Sequence, residues 1–138
     1  MTVPSFNTEE LLQESKKVAE RAYAPYSEFR VGAVAVDEDG NSYAGVNVEN
    51  AAYGSGQCAE ASAIGAAVSA GASRIKAIAI SSPNAAPCWP CGNCRQILRE
   101  FDVATVIVEA GDGSAIETPL GDLLPNSFGP EDLAGAGS

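Results

Sequence analysis

Apolar and polar residues alternate along this chain in three rhythms, and each rhythm predicts a different element. Leu11, Leu12, Val18, Ala19 and Ala22 recur at helical spacing, which predicts a helix over 8–23. Thr8 reads as its N-cap, Glu9 and Glu10 fill the first turn, and Pro25 stops it. Val31, Val34 and Val36 place a strand over 30–37, Asp39-Gly40-Asn41 signals a hairpin turn, and 42–48 returns as a second strand. After a loop marked by Gly54 and Gly56, an alanine-rich helix runs from near Gln57 to about Ala70, with Gly71 closing it. Ile75 to Ser81 and Thr105 to Val108 are continuous apolar runs of the length expected for buried strands. Between them, Gly92 to Phe101 reads as a helix with Ile97, Leu98 and Phe101 on its inner face. A turn at Gly111 to Gly113 leads to a last short strand at Ala115 to Thr118 and a helical segment at Leu120 to Leu124.

This order predicts an α/β fold, a three-layer α-β-α sandwich around a mixed sheet of about five strands. Residues 1–130 are expected to form a single domain, and 131–138, ending Ala-Gly-Ala-Gly-Ser, a flexible tail. A hydrophobic fraction of 46% with 19% charged residues fits a globular chain. The apolar runs are too short to cross a bilayer, and the first residues show no basic region followed by an apolar stretch. A cytoplasmic location without membrane contact is the resulting expectation. The formal net charge of -10 argues against nucleic-acid partners, whose phosphates need Lys and Arg. It also fits simple solubility of an acidic surface.

The chain has no histidine, so a metal site must be built from Cys, Asp or Glu. Cys58-Ala59-Glu60 and Pro90-Cys91-Gly92-Asn93-Cys94 together offer three thiolates and a carboxylate. Three ligands beside an acid is the pattern of a catalytic zinc, which keeps a fourth position open. Cys58, Cys91 and Cys94 all sit where a helix is predicted to start, and helix N-termini favour thiolates. Cys88 leaves a second arrangement open, a closed site of four cysteines; Pro87, Trp89 and Pro90 are expected to hold Cys88 extended and away from the others. Three thiolates leave zinc with a net negative charge, so Arg95 is the expected counter-charge beside the two helix N-termini. Arg95 also reads as an ordinary surface residue. Glu60 reads either as a proton carrier facing the open position or as a stabiliser of its helix N-terminus. Asn47 and Glu49 lie two apart in extended chain and share a face, an amide beside a carboxylate that suits a sugar diol or simply ends a strand in polar residues.

Taken in order, Pro25-Tyr26-Ser27, Phe29-Arg30-Val31-Gly32-Ala33, Asn47-Val48-Glu49-Asn50-Ala51-Ala52-Tyr53, Cys58-Ala59-Glu60, Pro90-Cys91-Gly92-Asn93-Cys94-Arg95-Gln96, Leu123-Leu124-Pro125 and Phe128 resemble the small homotetrameric cytidine deaminase family. The resemblance covers most of the chain. It implies one Zn2+ per subunit on Cys58, Cys91 and Cys94, and hydrolysis of cytidine and deoxycytidine to uridine and deoxyuridine with release of ammonia, a step of pyrimidine salvage. Glu60 would carry a proton from the attacking water to N3 of the ring and another to the departing amine. Asn47 and Glu49 would hold the ribose 3'-hydroxyl, and Phe29 and Ala59 would join the substrate-binding residues. Ala51, Tyr53 and Phe128 would reach a neighbouring subunit's site, as the family shares its sites within a homotetramer. Without the resemblance, Phe29 and Phe128 read as core packing. Many family members carry an arginine directly after Cys-Ala-Glu that hydrogen-bonds the thiolates. This chain has Ala61 there, which places more of the charge compensation on Arg95. A deaminase of an aminoacylated cytosine nucleoside antibiotic and a non-catalytic four-cysteine zinc module are the alternatives.

Overall fold

The computed structural model describes residues 6–136. Five strands, β1 (Gly32–Asp37), β2 (Ser42–Val46), β3 (Ile75–Ser81), β4 (Thr105–Glu109) and β5 (Ala115–Pro119), form one mixed sheet in the order β2-β1-β3-β4-β5. Only the β3–β4 pair is parallel. Helix α1 (Thr8–Ala19) covers one face. Helices α2 (Ala59–Ser69) and α3 (Gly92–Glu100), with the short α4 (Leu120–Leu123), cover the other. The expected three-layer sandwich is therefore the observed one.

Why the sheet is apolar on both sides follows from this layering. All six residues of β1 are buried. Ala33 and Ala35 face α2, whereas Val34 and Val36 face α1. The alternation along β1 is thus one of size rather than of polarity, because helices exclude water from both faces. The small-residue face matches the alanines of α2, Ala59, Ala63 and Ala67, all fully buried. Backbone contact there is very close. A Cβ at Gly45 on β2 would lie 2.3 Å from the Ala63 nitrogen and 2.7 Å from the Ala59 carbonyl oxygen. Gly45→Ala is expected to push α2 off the sheet and cost about 3 kcal/mol, at the upper end for overpacking. Urea unfolding of the variant checks this, and a cost under about 0.5 kcal/mol would mean the helix shifts freely.

Several ends differ from the sequence reading. The α1 N-cap is Asn7, whose side chain accepts from the Glu10 N–H at 3.0 Å, so Thr8 is already the first helical residue. The helix stops at Ala19 rather than at 23 because Tyr23 is taken by another partner. Its N–H donates to the Asn47 carbonyl at 3.0 Å, and its carbonyl accepts from the Glu49 N–H at 2.9 Å. That pairing, 24 residues away in sequence at its nearest, cannot be seen in a local pattern. At the other end, Pro130–Ala136 form α5, where a flexible tail is expected from 131. Proline at the first position and Glu131 and Asp132 in the first turn favour the start of a helix. The Asp132 carboxylate accepts from the Gly129 N–H, and Arg99 pairs with Glu131.

The register sets the place where chemistry can gather. Gly32 at the start of β1 lies opposite both Val46 at the end of β2 and Ser81 at the end of β3. The segment before β1, the segment after β2 and the loop after β3 therefore leave the sheet at one end. These carry Phe29, Asn47 with Glu49, and the 82–91 approach to α3. The crossover from β3 through α3 to the parallel β4 puts the α3 N-terminus at that same end.

Candidate active site

Two helices begin at this end of the sheet, and each begins with a cysteine. Cys58 is the N-cap of α2, and Cys91 is the N-cap of α3. Cys94, on the first turn of α3, is buried with 1% of its surface exposed. Its sulfur lies 2.6 Å from Cys58 Sγ and 3.6 Å from Cys91 Sγ. The Cys58 sulfur also accepts from the Ala61 N–H at 3.4 Å. The two N-termini thus converge on the sulfurs, which is where their partial positive charge stabilises a thiolate. Cys94 donating to Cys58 pulls the Cys58 thiol down to about 7, and the same hydrogen bond pushes Cys94 up.

Glu60, in the first turn of α2, is 4% exposed, and a carboxylate oxygen comes within 4.8 Å of the Cys58 and Cys94 sulfurs. Burial pushes its carboxyl above the usual range, against its own backbone N–H and Cys94, which favour the charged form. A buried acid beside a cluster of sulfurs is poised to take and return protons. Cys88 stands apart from this group. It packs against the core cluster of α2, α3 and the sheet, and burial, with the Glu60 charge adding, pushes its thiol up to about 11.

Comparison with known proteins matches this arrangement to one family. A family model described as "Cytidine and deoxycytidylate deaminase zinc-binding region" matches residues 6–110. The chain belongs to the cytidine deaminase family. The cytidine deaminase of Sporosarcina psychrophila is 44% identical over 130 residues, spanning 93% of this chain and 96% of its own. That of Mycobacterium tuberculosis strain H37Rv is 38% identical over 131 residues, spanning 95% and 96%. Among solved structures, cytidine deaminase from Burkholderia pseudomallei superposes with a TM-score of 0.82 at 40% identity, covering 89% of this chain and all of the other.

Zinc is the metal this family's matched region binds, and the donor set fits it. A tetrahedral zinc with Zn–S of about 2.3 Å holds its sulfurs about 3.8 Å apart. The Cys91–Cys94 separation of 3.6 Å already meets that spacing. At 2.6 Å, Cys58 and Cys94 are closer than a shared metal allows. They are still well beyond the ~2.05 Å of a disulfide. Cys58, Cys94 and the Glu60 carboxylate have their donor atoms within 4.8 Å of one another, and Cys91 adjoins them through Cys94.

The residues expected to hold substrate fall into three groups. Asn47 and Glu49 both reach from the segment after β2 into the segment before β1. Asn47 Oδ1 accepts from the Val31 N–H and its Nδ2 donates to the Phe29 carbonyl, each at 2.8 Å. Glu49 Oε1 accepts from the N–H groups of Tyr26 and Ser27 at 3.0 and 3.1 Å, and Oε2 accepts from the Ser27 hydroxyl. The Ser27 hydroxyl and N–H, ahead of the Tyr26 N–H, hold the Glu49 carboxyl below its usual range. Each side chain keeps spare capacity for a ligand, a second amide hydrogen on Asn47 and further lone pairs on Glu49. Glu49 also lines a cleft of about 380 Å³ with Tyr26, Ser27, Asn50, Tyr53 and Gly56.

Phe29, Ala51, Tyr53 and Phe128 form the second group, and all are exposed, Tyr53 at 85% and Phe128 at 58%. Core packing is therefore not what these aromatic rings do in one chain. Phe128 is held by its backbone, with its carbonyl accepting from Gln96 Nε2 on α3 at 2.9 Å.

Ala59 and Arg95 differ from expectation. Ala59 is fully buried between α2 and the sheet, so its methyl serves the core rather than the lining of an open pocket. The Arg95 guanidinium is hydrogen-bonded to backbone carbonyls. Its Nε donates to the Pro90 carbonyl at 2.7 Å and its NH1 to the Leu123 carbonyl at 2.8 Å. Among the described residues its guanidinium makes no hydrogen bond to a cysteine sulfur, so the side chain ties the Pro90-Cys91 approach to α4. The thiolate side is served instead by backbone, the Ala61 N–H included. What the sequence reading lacks is a role for Ser27; its place in Pro25-Tyr26-Ser27 is visible, but its partner 22 residues on is not.

Proposed function

We propose that this protein deaminates cytosine nucleosides, converting cytidine and deoxycytidine with water into uridine and deoxyuridine and ammonia. The observation that carries the reading is the buried Glu60 carboxyl beside the Cys58 and Cys94 sulfurs, in a chain of this family. Cys58, Cys91 and Cys94 hold zinc. When bound, zinc supplies the Lewis acid that makes water a nucleophile near neutral pH. Glu60 takes a proton from that water and delivers it to N3 of the cytosine ring as C4 is attacked. It then takes the remaining proton from the new C4 hydroxyl and passes it to the departing amine, so that the C4–N bond breaks, the C4 carbonyl forms and ammonia leaves. The raised carboxyl of Glu60 suits a group that must be base and then acid in one cycle.

Asn47 and Glu49 receive the sugar 3'-hydroxyl, the amide as donor and the carboxylate as acceptor. A pocket that holds only this hydroxyl accepts ribose and deoxyribose alike. Phe29 offers its exposed ring to the base. Ala51, Tyr53 and Phe128 serve the site of a neighbouring subunit in a homotetramer, a reading supported by how much aromatic surface one chain leaves exposed. Among the described residues no helix is long and apolar enough to cross a membrane, and the reaction belongs in the cytoplasm. Incubating the zinc-loaded protein with cytidine is expected to change the ultraviolet absorbance of the base and release one ammonia per nucleoside. Zinc-loaded protein that leaves both unchanged would refute the assignment.

A further inference from the structure

The loop before β1 carries a polar knot that the proposed chemistry leaves without a purpose. Ser27 Oγ donates to Glu49 Oε2 and accepts from the Phe29 N–H at 3.0 Å. One hydroxyl therefore uses its hydrogen on the carboxylate and a lone pair on the backbone of the aromatic residue. Between them Glu28 sits in the left-handed region at φ 58°, so the chain turns sharply to bring the Phe29 N–H back onto Ser27. On the other side Asn47 grips the Phe29 carbonyl and the Val31 N–H. The three residues that face substrate, Glu49, Phe29 and Asn47, are thus joined through six atoms of one short loop.

We propose that Ser27 is a positioning residue, aiming the Glu49 carboxylate at the sugar 3'-hydroxyl. The proposal rests on the reading of Glu49 as the sugar contact. Its physical basis is the division of labour on the carboxylate. Oε1 is fixed by two backbone N–H groups that any residue at positions 26 and 27 supplies, proline apart. Oε2 is fixed by the Ser27 hydroxyl. Without that hydroxyl, Oε2 turns to water, and the incoming sugar hydroxyl must displace solvent from an acceptor that is no longer aimed. The contact is made equally with substrate and with the transition state, so its loss falls on KM rather than on kcat.

Ser27 is exposed in a loop, so its substitution is expected to leave folding and zinc content unchanged. Steady-state rates are measured on cytidine and on 3'-deoxycytidine for the parent, Ser27→Ala, Ser27→Thr and Glu49→Gln, each zinc-loaded. Ser27→Ala is expected to raise KM for cytidine about tenfold with kcat within about threefold, the size of one charge-assisted hydrogen bond. On 3'-deoxycytidine it is expected to match the parent, because the hydroxyl it serves is missing. Ser27→Thr, which keeps the hydroxyl, is expected to restore KM. An equal KM penalty on both nucleosides, or none on either, overturns the proposal. Glu49→Gln separates the two levels. If it loses the preference for the 3'-hydroxyl while Ser27→Ala retains it, Ser27 alone is misassigned. If Glu49→Gln keeps the parent's preference, the sugar contact itself is wrong and the Ser27 role falls with it.

Discussion

Glu60→Gln is expected to lower turnover of cytidine by at least about 10³-fold, within the range for removing a general acid–base group. Zinc content is expected to stay at the parent level. Glutamine has the same shape and hydrogen-bonds, but it can neither take a proton from water nor return one to the amine. Because Glu60 is asked to move protons twice in one cycle, both steps fail together. The variant is also expected to be at least as stable as the parent. Burial already disfavours the ionised carboxyl at this site, and a neutral amide of equal size removes that penalty. Loss of activity without loss of metal or thermal stability separates a proton carrier from a structural acid. Turnover retained within about tenfold would remove Glu60 from the chemistry.

The second large effect concerns the sulfurs. Cys94 is the most buried of them and the one hydrogen-bonded to both others. Cys94→Ala is expected to lose stoichiometric zinc and all measurable deamination. It also loses the stability that metal binding gives to the folded chain, about 4 kcal/mol when free metal exceeds its dissociation constant a thousandfold. A chelator should therefore lower the unfolding temperature of the parent and leave that of Cys94→Ala where it is. Cys88→Ala makes the contrast. Cys88 packs against the core rather than joining the sulfur cluster, so the variant is expected to keep its zinc and its rate at a small packing cost. Zinc lost from Cys88→Ala as completely as from Cys94→Ala would instead indicate a closed site of four cysteines.

Much of this was legible in the chain itself, for a local reason. A helix N-terminus, a capping position and a three-residue spacing are encoded within a few residues. Cys58 before Ala59 and Glu60, and Cys91 with Cys94, could thus be placed at two helix starts without a fold. Buried strands announce themselves as apolar runs, which is why β3 and β4 were visible. The end of α1 at Ala19 was not, because Tyr23 leaves the helix to pair with a segment far along the chain.

Side-chain partners set the limit. The sequence by itself determined which residue types are available for the proposed chemistry, three thiols and an acid in a chain without histidine, and which elements present them. Only the tertiary structure decided what each polar side chain touches. Arg95 looked like a counter-charge because it follows Cys94, yet it is drawn to the Leu123 carbonyl, 28 residues on. Glu49 meets Ser27 across 22 residues, and Asn47 meets Phe29 across 18. These pairs exist because Gly32 lies opposite both Val46 and Ser81, so three loops leave the sheet at one end. Register is a property of the assembled sheet, and a hydrogen bond that depends on register has no local pattern to announce it.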